Sequence, residues 1–150
     1  MNQSRPNIFR LISHMLAAVF NSRSAFQRQW QHYEEQPAKE GGIEGRWVGE
    51  WISETSGHRG ELRCVLAPVS DGLYRAFFYA SFSKLFRVGY VTELKADSVG
   101  GRTLLKGEQD LGGLAGGIYR CEGELSGSEF NCRYSCKYDR GVFRLKRLNR

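Results

Sequence analysis

The most polar short stretch of the chain, Thr55-Ser56-Gly57-His58-Arg59-Gly60, gathers hydroxyls, an imidazole and a guanidinium. Such groups can hold a carboxylate or a phosphate, and His58 and Arg59 are the candidate residues at the mouth of a binding site. The same composition is that of a solvated hairpin loop. No serine–histidine–acid order accompanies it, and one loop histidine is thin support for a general base. No catalytic residue is therefore assigned, and a non-enzymatic protein is expected. The four cysteines, Cys64, Cys121, Cys132 and Cys136, are the other reactive set. Structural zinc sites draw thiolates from tight knuckles with two-residue spacers. Here the thiols are spread along strands, so no metal and no cofactor is expected. All four fall on inward positions, where free cysteine packs as a small hydrophobe. Reduced core cysteines are the expectation. A Cys121–Cys132 bridge across a hairpin is the alternative, and it calls for an oxidising compartment.

The elements that would position these residues are strands. From Gly45 to Leu148 apolar and charged residues alternate with period 2 in nearly every run. The expected strands cover 46–53, 61–67, 73–82, 86–96, 102–108, 117–126, 129–136 and 142–148. Their connections, such as Pro68-Val69-Ser70-Asp71-Gly72 and Ser126-Gly127-Ser128, are turn-forming and short enough for antiparallel neighbours. Leu62, Cys64 and Leu66 share one face against Glu61 and Arg63. Tyr119, Cys121 and Leu125 oppose Arg120, Glu122 and Glu124. A one-residue slip would turn every charge inward, so register is well specified. A long meander with one apolar face closes into an up-and-down barrel of roughly eight antiparallel strands. The fold class is therefore mainly β. The stretch from Gln109 to Gly117 is glycine-rich but has no lysine or hydroxyl after its glycines, so it is not a phosphate-binding loop. A lid or barrel corner is expected there.

Ahead of the barrel, Ile8, Leu11, Ile12, Met15, Leu16, Val19 and Phe20 recur with helical spacing, and Phe26, Trp30 and Tyr33 continue the stripe. The expected organisation is an amphipathic helix over 1–33, a linker over 34–44 and a β-barrel domain over 45–150. Phe77 and Tyr79, on the outer face of the third strand, offer a landing pad for that helix. The alternative is an interfacial helix in which Arg5, Arg10, Arg23 and Arg28 meet anionic head groups. No 18-residue apolar run exists, so no transmembrane helix is expected. A cytoplasmic location is expected, with peripheral contact to an anionic membrane as the alternative and secretion left open. The formal charge of +6 includes an outward basic strip, Arg133, Lys137, Arg144 and Lys146. Nucleic acid is not the expected partner, because stacking platforms need exposed aromatics beside the charges.

Gly45-x-Trp47 on a first strand after a helical segment resembles the signature of lipocalins and related calycins. That resemblance implies a barrel closed at one end by Trp47 beneath a basic residue of the last strand, which can be Arg144, Lys146 or Arg147. Haem-binding calycin-like barrels use a histidine near the C-terminal end. This chain has only His14, His32 and His58, so no haem is implied. The order Gly-x-Trp-x-Gly-x-Trp, Gly57-His58-x-Gly60-x-Leu62, Tyr74-Arg75-Ala76-x-Phe78 and Asp139-x-Gly141-x-Phe143 also looks like a bacterial protein family of unknown function, and implies no activity. The residues themselves point to a carrier or sensor for a small apolar or amphipathic molecule. Its cavity would be lined by Trp47, Tyr74, Phe78, Tyr90, Tyr119, Phe130, Tyr134 and Phe143. The other function class is an interaction module that docks on a membrane or protein partner through the helix and basic strip.

Overall fold

A computed structural model describes residues 22–82, 84–110 and 117–149. A helix, α1 (22–34), precedes β1 (Gly45–Ser53), β2 (Arg59–Ser70), β3 (Leu73–Phe82), β4 (Phe86–Val99), β5 (Arg102–Asp110), β6 (Ile118–Ser126), β7 (Glu129–Ser135) and β8 (Arg140–Arg147). Each strand pairs antiparallel with the next, and β8 returns to β1 to close the barrel. The β4–β5 ladder is the shortest, pairing only Lys95–Val99 with Arg102–Lys106. The expected helix over Ile8 to Phe20 and most of the Gln109 to Gly117 stretch lie outside the described residues.

Alternation decides which face each side chain takes. The inward set forms one continuous core that includes Trp47, Leu62, Leu66, Phe78, Leu94, Leu105, Phe130 and Leu145. Outward charges make cross-strand ion pairs, among them Arg59–Glu50 at 2.7 Å and Arg75–Glu93 at 2.9 Å. The outward basic strip is partly neutralised in the same way: Arg133 reaches Glu54 at 3.3 Å, and Arg144 stands opposite Glu50 in the β1–β8 register. Turn chemistry fixes the hairpins. Gly100 and Gly101 both have positive φ, at 57° and 78°, between the paired residues Val99 and Arg102. Two consecutive left-handed positions in a two-residue loop match the right-handed twist of the flanking strands.

Outside the barrel, Phe26 of α1 packs with Val65 and Phe77, and Ala25, Trp30, Tyr33 and Tyr79 join them. Phe26 stacks on Tyr79 with ring centroids 5.0 Å apart. Trp30 lies beneath two guanidiniums, with Arg46 Cζ 5.2 Å and Arg63 Cζ 5.4 Å from its ring centre. Arg46 is buried there and also pairs with Glu34 at 3.2 Å. The start of the helix rests on Gly89 of β4, where an added Cβ would stand 2.7 Å from Ser22 Oγ. Phe77 and Tyr79 are thus a landing pad for α1. Trp30 and Tyr33, which an interfacial helix would offer to lipid, are turned to the barrel wall instead.

The cysteine expectation needs correction. Cys121 and Cys132 form a disulfide across the β6–β7 hairpin, with Cα atoms 6.4 Å apart, while Cys64 and Cys136 are free thiols. Both bridged residues face inward, and register sets Cys132 opposite Gly123, one inward position beyond Cys121. A diagonal pair on the same face of a hairpin falls within disulfide reach. Burial alone did not distinguish this pair from Cys64, which is wholly buried and whose thiol is raised by that burial.

Candidate functional site

Because neighbouring strands run in opposite directions, an inward residue near the start of one strand lies at the same barrel end as one near the finish of the next. This rule divides the candidate lining residues into two groups. Trp47 near the start of β1, Tyr74 near the start of β3 and Phe130 near the start of β7 belong to one end. Tyr90 near the start of β4, Tyr119 near the start of β6, Tyr134 near the finish of β7 and Phe143 near the start of β8 belong to the other. Phe78, midway along β3, is in contact with this second group.

The Trp47 end is packed shut. Trp47, Leu66, Leu94, Leu105 and Phe130 are each 0% exposed. The Trp47 and Phe130 rings meet edge to face at 6.0 Å. Of the three candidate basic residues, Arg147 is the one over Trp47, with Cζ 5.5 Å from the ring centre. Parity explains the choice: Arg147 follows Phe143 and Leu145 inward, while Arg144 and Lys146 point out. Its guanidinium donates to Gly42 O and, at 2.6 Å, to Glu44 O, so the segment before β1 is tied across the barrel end. Trp47 Nε1 donates to Ile43 O at 3.3 Å. Nearby, burial and the Glu44 carboxylate push the Tyr33 phenol up to about 12.

The opposite end is built from aromatic rings and paired polar groups. Phe78, Tyr90, Tyr119, Tyr134 and Phe143 form a closed circuit of ring contacts, with successive centroids 6.1, 5.7, 6.3, 4.8 and 5.2 Å apart. Tyr90, Tyr119 and Phe143 are only half-buried although they face inward. Room for this circuit comes partly from Gly141, which stands opposite Tyr134 in the β7–β8 register. A Cβ at Gly141 would lie 2.6 Å from the Tyr134 hydroxyl and 2.0 Å from Ile52 O.

Polar groups gather at the rim of the same end. Tyr134 donates its hydroxyl to Asp139 Oδ2 at 3.0 Å, and buried Ser53 donates to Asp139 Oδ1 at 2.6 Å. Ser56 continues the network: its hydroxyl donates to Ser53 Oγ at 3.0 Å and lies 3.0 Å from His58 Nδ1. This clips the β1–β2 connection to the β7–β8 connection. Burial, with the Asp139 charge second, raises the Tyr134 phenol well above its ordinary value. Burial does the same for Tyr119, with the neighbouring Cys136 thiol second. Tyr90 is also raised by burial, offset in part by a hydrogen bond with Thr92.

The candidate mouth residues fall at this end, in different roles. His58 is exposed and joined to Ser56. Arg59 pairs on the outer wall with Glu50, whose carboxyl is held below its ordinary value chiefly by that hydrogen bond. Asp139 accepts from Ser53 and Tyr134, and His58 joins this network through Ser56.

Four residues at this end were absent from the sequence-based list: Ser53, Gln109, Cys136 and Asp139. Gln109 was legible in principle. Thr103, Leu105 and Gly107 alternate inward, and continuing that alternation two residues brings Gln109 opposite Tyr119. Among the described residues, no group of three or more histidines, cysteines and carboxylates is arranged to hold a metal ion, and no helix is long and apolar enough to cross a membrane. No family model, curated protein or solved structure matches the chain.

Proposed function

We propose that the barrel is a non-enzymatic carrier or sensor that takes a small apolar or amphipathic molecule at its tyrosine-lined end. The carrying observation is that inward-facing Tyr90, Tyr119 and Phe143 are half-buried, whereas Trp47, Leu66, Leu94, Leu105 and Phe130 at the other end are wholly buried. Aromatic faces give a ligand large contact area at little entropic cost, and phenols at the rim orient a polar group. The likeness to lipocalins and calycins supports the same reading, since Arg147 over Trp47 is the capping that the Gly45-x-Trp47 resemblance implies. The competing interaction module draws less support, because Phe26 and Trp30, which it needs exposed, pack on the outer wall.

Native mass spectrometry of the full chain after exposure to a total lipid extract tests this function. The expected result is added mass that is lost on denaturation. Tyr119→Ala and Phe143→Ala should each reduce retention about tenfold, and Tyr74→Ala, at the opposite end, should leave it unchanged. A clean apo mass for the unmodified protein, or equal loss from Tyr74→Ala and Tyr119→Ala, overturns the assignment.

A further inference from the structure

We propose that the molecule bound at the tyrosine-lined end is flat, mainly apolar and carries a hydroxyl or N–H group, and that Gln109 accepts the hydrogen bond from that group. This builds on the ligand-binding reading above. Gln109 lies on the inner face of β5, and its register partner is Tyr119. Its Oε1 is buried and has no hydrogen-bond partner among the described residues. A buried acceptor without a partner is costly, and native proteins retain few of them.

The neighbouring polar groups are already committed to one another. Tyr134 and Ser53 both donate to Asp139, and the Tyr119 hydroxyl has the Cys136 thiol as its neighbour. Among the described residues this leaves Gln109 Oε1, itself shut away from solvent, as the unpaired acceptor on the face shared with Tyr119. A ligand with only ether or carbonyl oxygens would leave Oε1 unpaired and place a second acceptor against it. A hydroxyl or N–H donor pairs with it, and the flat remainder stacks on Tyr119 and its ring neighbours. This makes the site selective by hydrogen-bond polarity rather than by size: a site built to pair with a donor rejects the analogue that lacks it.

Isothermal titration of the full chain with 2-naphthol, 2-methoxynaphthalene and naphthalene tests the assignment. These probes share one flat frame and differ in the donor. The unmodified protein should bind 2-naphthol at least tenfold more tightly than 2-methoxynaphthalene, the scale of one hydrogen bond made or missed at a buried acceptor. Gln109→Leu should bring the two within about twofold while keeping naphthalene binding. Gln109→Met, closer in shape, guards against loss of folding in the leucine variant. Equal binding of 2-naphthol and 2-methoxynaphthalene by the unmodified protein overturns the inference and leaves the ligand-binding reading standing. So does a preference that survives both substitutions. Failure of all three probes also overturns it, and the lipid-extract measurement then decides the broader reading alone.

Discussion

The two ends of this barrel are made from the same strands and by the same alternation, yet one is filled mainly by aliphatic groups around an indole and the other by a circuit of aromatic rings. Around Trp47 the inward residues include the wholly buried Leu66, Leu94, Leu105 and Phe130, with half-buried Tyr74 at the same end, and a guanidinium from β8 covers the indole. Around Tyr119 they are phenols and half-buried rings, with Asp139, Ser53 and Gln109 among them. Aliphatic side chains interdigitate to crystal-like density. Phenols must keep their hydroxyls satisfied and so hold polar partners beside them. On the proposed function, the same barrel geometry separates stability from recognition along its axis. Substitutions at the Trp47 end should be felt in the folding equilibrium, and those at the tyrosine end in what the protein holds.

The largest effect that would sharpen this division is Trp47→Ala. It removes a fully buried indole and uncovers Arg147, and should cost about 3–5 kcal/mol in urea unfolding. A loss below about 1 kcal/mol would mean that the Trp47 end is not the stabilising plug. Next is Gly141→Ala at the tyrosine end. Its Cβ would press on Ile52 O at 2.0 Å and on Tyr134, so an overpacking cost of about 1–3 kcal/mol is expected. Displacement of the Tyr134 ring should appear as altered near-ultraviolet circular dichroism. An unchanged spectrum with unchanged stability would break the link between Gly141 and the aromatic circuit.

Alkaline titration probes both ends together. Tyr33, Tyr119 and Tyr134 have folded-state values raised above the ordinary 10.0. Above that value the unfolded chain loses protons that the folded chain retains, so stability should be level below about pH 10 and fall as pH rises further. Phenolate absorbance should then show a fraction of tyrosines ionising only as the protein unfolds. Ionisation of every tyrosine in the folded state near the ordinary value would contradict the burial described for these groups. The smallest effect belongs to the outer wall. Arg75→Ala removes one partner of the exposed Arg75–Glu93 pair and should leave the unfolding midpoint within measurement error. A clear shift would mean that the outer ion pairs contribute to the comparison after all.

Parity along the strands was legible in the sequence; position along the barrel axis was not drawn from it. Alternation alone put Leu62, Cys64 and Leu66 inside and Glu61 and Arg63 outside, and it anticipated Phe77 and Tyr79 as the seat of the helix. Tyr74 and Tyr90 have the same parity and the same character, yet they sit at opposite ends because β3 and β4 run in opposite directions. Grouping eight aromatics into one cavity ignored that reversal. The strand limits also mattered. Ending the fifth strand at Glu108 hid Gln109, whereas the observed strand runs to Asp110. The Ser53–Asp139 contact joins residues far apart in the chain at the β1–β8 seam, and no local pattern encodes such a meeting.

That seam has a consequence for how the chain reaches its fold. Every other ladder joins strands that follow one another in sequence, so each can zip from its own hairpin across a short loop. Only β1 and β8 must find each other from the two ends of the meander, where Trp47 is registered against Arg147. Loop-closure entropy grows with the length of chain enclosed, though slowly, and contacts of high sequence separation slow folding. The indole and the guanidinium therefore fasten the one joint that cannot form locally. The rim network of Ser53 and Asp139 fastens the other end of that same joint, so side chains clasp both extremities of a ladder that is continuous between them.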